Sequence, residues 1–143
     1  MKPAIAVTLG DPAGVGPEVA AKALADAAIR SLARWIVVGD RAAFVKIGRA
    51  VPDLDLIEPG VISSPDDFEM GRVQALCGRA ALASVRRATE MCLARQAAAM
   101  VTAPLNKEAV AATGEEFTGH TEYIAKLCGA PETRMLLVSD RLR

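Results

Sequence analysis

Apolar and polar positions fall into blocks of two lengths along the chain. Four short apolar runs end in turns or charged residues: "AIAVTL" (Ala4 to Leu9), "RWIVVGD" (Arg34 to Asp40), "AAAMVTAP" (Ala97 to Pro104) and "TRMLLVSD" (Thr133 to Asp140). Such runs predict strands of a parallel sheet buried on both faces. "DLDLIEPG" predicts a shorter strand, hemmed in by Pro52 and Pro59. Helical periods lie between them. One helix is expected from Pro17, whose missing N–H would be unpaired at a first helical position anyway, and "RAAFVKIGRA" predicts another. From Glu69 to Gln96 no proline intervenes, and Val73, Leu76, Cys77, Ala80, Val85, Ala88, Met91 and Cys92 recur largely at three- and four-residue spacings. That pattern predicts one amphipathic helix about 40 Å long, with Arg72, Arg79, Arg86, Arg87 and Arg95 on its solvated faces. A short helix through Val110 to Gly114 and one within "EEFTGHTEYIAKLCG" complete the set. Strand and helix in alternation predict an α/β fold, a layered sheet with flanking helices and right-handed crossovers. "TRMLLVSD" is followed only by "RLR", with no helix to cover the sheet, so the chain reads as a segment of a larger fold.

Composition narrows the class. With 143 residues, 52% apolar and 24% charged, the chain can bury a core and is unlike a disordered sequence. Basic and acidic residues balance at 17 each, so no electrostatic footprint for nucleic acid or an anionic membrane exists. The first apolar run is too short for a signal segment, and none approaches the roughly eighteen apolar residues that cross a bilayer. A cytoplasmic protein is expected. The 3 cysteines, Cys77, Cys92 and Cys128, lie far apart among apolar neighbours and read as small buried hydrophobes. With 1 histidine, no His-rich metal site can form inside the chain.

Three polar clusters remain. "GDPAGVGPE" follows the first strand, yet no lysine follows Gly16 as a phosphate-binding P-loop requires; Pro17 and Glu18 stand there instead. A dinucleotide fingerprint fares little better. Gly14 and Gly16 occupy its first two positions, but the third is Val19, expected to obstruct helix-to-strand packing, and Asp40 comes too late for the ribose acid. What remains is a tight turn feeding a helix N-terminus, with Glu18 complementing the dipole. "VTAPLNKEAV" repeats that logic: Thr102 ends a strand, Pro104 turns the chain, and Asn106 and Lys107 open a helix at the edge where open α/β sheets bind ligands. "EEFTGHTEY" places His120 in the first turn of a helix, where the dipole favours a neutral imidazole, with Thr121 beside it.

In that order, "GDPAGVGPE", "TAPLNK" and "FTGHTE" resemble the 4-hydroxythreonine-4-phosphate dehydrogenase family and its paralogues. Family members are longer, so residues 1–143 match their N-terminal portion. The resemblance implies a two-domain fold of the isocitrate-dehydrogenase type, a homodimer, NAD or NADP bound without a dinucleotide fingerprint, and a divalent metal, usually zinc, held beyond residue 143. It implies oxidation of a secondary alcohol in a phosphorylated hydroxy acid such as 4-phosphooxy-threonine, followed by decarboxylation, as in pyridoxine biosynthesis. Paralogues act on sugar-acid phosphates or carboxylated dihydrodiols. By position, His120 and Thr121 match the substrate-contacting pair, Thr102, Asn106 and Lys107 a second cleft motif, and Asp11, Gly14, Gly16 and Glu18 the turn that shapes the cleft. A non-catalytic phosphate- or nucleotide-binding α/β module stands as the rival reading.

Overall fold

The structure, a computed structural model, describes residues 2–49 and 53–139. Its strands are β1 (Ala4–Thr8), β2 (Arg34–Val38), β3 (Asp55–Ile57) and β4 (Ala99–Thr102). They form one parallel sheet in the order β3-β2-β1-β4. The helices are α1 (Gly16–Ala25), α2 (Ala27–Leu32), α3 (Arg41–Lys46), α4 (Ala75–Leu93), α5 (Lys107–Ala111) and α6 (His120–Cys128). This is the α/β layered sheet that the alternation of blocks predicts.

Both faces of the sheet are covered at β1 and β2, whereas β4, expected to be buried on both faces, leaves Ala99 and Val101 exposed on one of them. Leu9 and Val37 pack with Ala20 and Leu24 of α1 and Phe44 of α3 on one side. Ala6, Ile36 and Val38 pack with Ala88 and Met91 of α4 on the other. Val37 and Val38, adjacent in sequence, therefore serve opposite layers, which is why the strands read as apolar runs rather than as alternations. Full burial of side chains such as Leu9 and Phe44 contributes about 1.5–3 kcal/mol each. Tyr123 and Val110 extend the α4 layer by packing α5 and α6 against Leu82 and Val85.

Three expectations change. The long helix begins at Ala75, not Glu69, because Gly71 takes a left-handed φ of 71° and the Gln74 side chain bonds the Glu69 backbone N–H at 3.1 Å and carbonyl at 2.8 Å. That loop replaces the first helical turns, and Arg72 lies in it. The helix at Pro17 starts one residue earlier and breaks at Asp26, whose carboxylate accepts the Ala28 and Ile29 N–H groups and opens α2. Residues Thr133–Ser139 form no strand, and Asp140 lies outside the described residues. Met135, Leu136, Leu137 and Val138 are exposed. An apolar run becomes a strand only beside a neighbour that supplies ladder partners, and none of the described strands pairs with it.

Candidate functional site

At the carboxyl edge of the sheet, backbone hydrogen bonds clasp the glycine-rich turn to the β4–α5 turn. Gly10 has φ 68°, and a Cβ there would sit 2.1 Å from the Pro104 carbonyl oxygen, so only glycine fits. The next N–H, of Asp11, donates to that same oxygen at 3.0 Å. Asp11 Oδ1 accepts the Ala13 N–H at 2.8 Å, Gly14 N–H donates to the Asp11 carbonyl, and the Ala13 carbonyl accepts the Gly71 N–H at 2.8 Å. Three segments distant in sequence are thereby joined around one cleft of about 260 Å³, lined by Asp11, Gly14, Val15, Arg72, Leu105 and Asn106 among others.

The polar groups of this cleft differ in how far they are committed. Asp11 is only 5% exposed, and burial raises its pKa against the opposing pull of the Ala13 N–H. Asn106 caps α5, its Oδ1 accepting the Glu108 and Ala109 N–H groups at 2.8 and 3.1 Å. Arg72 pairs with Glu69 at 2.8 Å on the exposed rim. Arg72 escapes sequence reasoning because it sits within a helical apolar period; Gly71 beside it is the signal that breaks the period.

The remaining predicted residues lie apart from this cleft. Gly16 is buried under β1, where a Cβ would meet the Leu9 carbonyl oxygen at 2.1 Å. Glu18 pairs with Lys22 at 2.6 Å on the α1 surface. Thr102 ends β4, half-buried and in register with Thr8, whose Oγ1 is sealed from solvent without a partner among the described residues. Lys107, the first residue of α5, is exposed. His120 and Thr121 open α6 and do not line the cleft. The His120 ring stands edge-on to Phe117 at 5.8 Å. Its Nε2 is sealed from solvent with no hydrogen-bond partner among the described residues, and burial lowers its pKa, so the neutral imidazole is favoured. A second hollow of about 180 Å³ flanks this turn, lined by Phe117, Thr118, Glu122, Tyr123 and Lys126 among others.

Whether the described residues match the donor set of a metal or of a fingerprint-bound dinucleotide turns on what their side chains already bond. Among the described residues no three His, Cys, Asp or Glu side chains gather into a metal-binding group. The Asp40 carboxylate is taken up by the N–H groups of Gly60, Val61 and Ile62 at 2.7, 3.1 and 2.8 Å, which ties down the loop after β3 and leaves it no ribose role. Val19 fails as the third fingerprint residue for a reason other than the expected clash. It is 54% exposed, and the close helix-to-strand contact belongs to Gly16 instead.

A parallel sheet with polar turns converging at its carboxyl edge defines an α/β ligand-binding architecture. The chain belongs to the family of the pyridoxal phosphate biosynthetic protein PdxA, whose pattern matches residues 7–143. It is 39% identical to the 4-hydroxythreonine-4-phosphate dehydrogenase of Trichlorobacter lovleyi, over 99% of this chain and 48% of the relative. It is 38% identical to the D-threonate 4-phosphate dehydrogenase of Cupriavidus necator, over 99% of this chain and 47% of the relative. A crystal structure of 4-hydroxythreonine-4-phosphate dehydrogenase from Klebsiella pneumoniae superposes with a TM-score of 0.86 at 35% identity, covering 99% of this chain and 48% of that one. The chain thus spans about half the length of the curated relatives it matches. Among the described residues no helix is long and apolar enough to cross a membrane.

Proposed function

We propose that these residues are the N-terminal portion of a two-domain, isocitrate-dehydrogenase-type enzyme. It oxidises a secondary alcohol of a phosphorylated hydroxy acid, such as 4-phosphooxy-threonine or D-threonate 4-phosphate. The alcohol carbon gives a hydride to NAD or NADP, the hydroxyl gives up its proton, and the resulting β-keto acid loses carbon dioxide. The observation that carries this reading is the match over nearly the whole chain to relatives named as dehydrogenases of four-carbon phosphorylated hydroxy acids.

This chain's part is to bind and orient. The neutral imidazole of His120 hydrogen-bonds a substrate oxygen, burial of the ring favouring that neutral form. Thr121 and Thr102 supply hydroxyls, Asn106 its amide, and Lys107 an exposed cation for the phosphate. Asp11 and Gly14 belong to the turn that shapes the cleft, with Gly16 and Glu18 following it in α1. Zinc or another divalent metal is assigned to residues outside this chain, and the working enzyme is a cytoplasmic homodimer.

The test uses the complete gene product with NAD or NADP and each phosphorylated hydroxy acid in turn, following nicotinamide reduction. His120→Ala lowers kcat/KM by at least about tenfold, roughly 1.4 kcal/mol of transition-state binding. Unchanged kinetics in that variant remove His120 from the site, and no reduction with any substrate refutes the dehydrogenase reading.

A further inference from the structure

The cleft between the glycine-rich turn and the β4–α5 turn holds an open acceptor on Asp11 and an open donor on Asn106. Asp11 is 5% exposed. Its Oδ1 is committed to the Ala13 N–H, while Oδ2 has no partner among the described residues and is not sealed from solvent. Asn106 has both Oδ1 bonds engaged in capping α5, which fixes the orientation of its amide and leaves Nδ2 without a partner among the described residues, again not sealed. The two side chains line the same space of about 260 Å³, and the Asp11 N–H bond to the Pro104 carbonyl at 3.0 Å holds their loops together.

We infer that this cleft is a hydroxyl-recognition subsite. An alcohol is the small group that both donates and accepts: its proton goes to Asp11 Oδ2, and its oxygen accepts from Asn106 Nδ2. A phosphate or carboxylate would be repelled by the Asp11 carboxylate, and the nearest lining cation, Arg72, is already paired with Glu69. An ammonium would leave the Asn106 donor unmet. Once a ligand shuts water out of the cleft, an Asp11 oxygen left without a partner is costly, so a hydroxyl is strongly favoured there over the corresponding deoxy compound. Two sources present this chemistry: the carbon chain of a hydroxy acid, and the ribose of a nucleotide. Only the choice of probes rests on the dehydrogenase reading.

The experiment measures binding without turnover, by calorimetry on the complete gene product, with D-threonate 4-phosphate alone and NAD alone. Asp11→Asn keeps the Ala13 bond and the shape but turns the open acceptor into a donor; Asn106→Asp keeps the helix cap but removes the open donor. Each substitution weakens at least one of the two ligands by about tenfold or more. A loss confined to D-threonate 4-phosphate places the substrate chain in the cleft, and a loss confined to NAD places the ribose there. Dissociation constants within twofold of the unaltered protein for both ligands overturn the proposal, as does failure of both ligands to bind the unaltered protein. Should Asp11→Asn fail to fold, Asn106→Asp carries the same test. Binding that depends on these residues, without nicotinamide reduction when both ligands are present, would refute the dehydrogenase reading alone.

Discussion

His120 begins α6 with one ring nitrogen closed off from water and, among the described residues, unbonded. Burial penalises the imidazolium, so its pKa falls below the ordinary 6.5. The consequence for stability has a definite sign. Above pH 6.5 the ring is neutral whether the chain is folded or not; as the pH falls below that value the unfolded chain takes up the proton first, and stability is lost down to the folded-state pKa. As the 1 histidine of these residues, it gives a readable signal. Proton NMR of the imidazole should show a midpoint below 6.5, and His120→Asn should flatten the decline of Tm between pH 6.5 and that midpoint. A midpoint at or above 6.5 would mean that the ring is solvated or has gained an acidic neighbour. Glu18 illustrates the opposite case. Its bond to Lys22 joins side chains 47% and 61% exposed, and such pairs contribute little in water.

At the scale of elements, glycines set how closely the layers approach. Gly16 lets α1 rest on the end of β1, and Gly78 lets α4 meet α5, since a Cβ at either would lie 2.1 Å from a backbone carbonyl oxygen, of Leu9 and Ala109 respectively. Backbone cannot yield as a flexible side chain can, so Gly16→Ala and Gly78→Ala should each destabilise by about 1–3 kcal/mol or more. Gly14 differs: its nearest neighbour would be 3.4 Å away, and Gly14→Ala should stay within about 0.5 kcal/mol. Urea unfolding midpoints of the three variants check the order, and equal losses at Gly14 and Gly16 would contradict it. The order was not legible in "GDPAGVGPE". Sequence spacing suggests that Val19 faces the strand, but the helix begins at Gly16 and turns Val19 outward. The central strands β1 and β2, by contrast, were legible, because strands buried on both faces must be apolar throughout. Thr133–Ser139 of "TRMLLVSD" met that same criterion and still form no strand, since pairing depends on a neighbour that apolarity does not report. Asp11 and Asn106 stand ninety-odd residues apart, and only the β1–β4 pairing makes them neighbours.

For the molecule as a whole, the cysteines report how far the core opens together. Cys77 is fully buried in α4 beside the cleft turn, and desolvation together with the Asp11 charge pushes its thiol up to about 11. Cys92 is half-buried and Cys128 exposed. Thiolate is the reactive form, so Cys77 is protected twice, by access and by protonation. Labelling in native buffer at pH 8, read by peptide mass spectrometry, should modify Cys128 first, Cys92 more slowly and Cys77 last. Because Cys77 packs with Ala13, Ala42, Ile62 and Phe68, exposing it means parting α4 from the glycine-rich turn, α3 and the loop after β3 at once. Its labelling rate should therefore climb with denaturant as steeply as global unfolding does. A shallower dependence would show that the α4 start and the cleft turn open as a local unit. The clasp between Asp11 and Pro104 would then be a hinge by which a ligand enters, rather than part of the rigid frame that holds it.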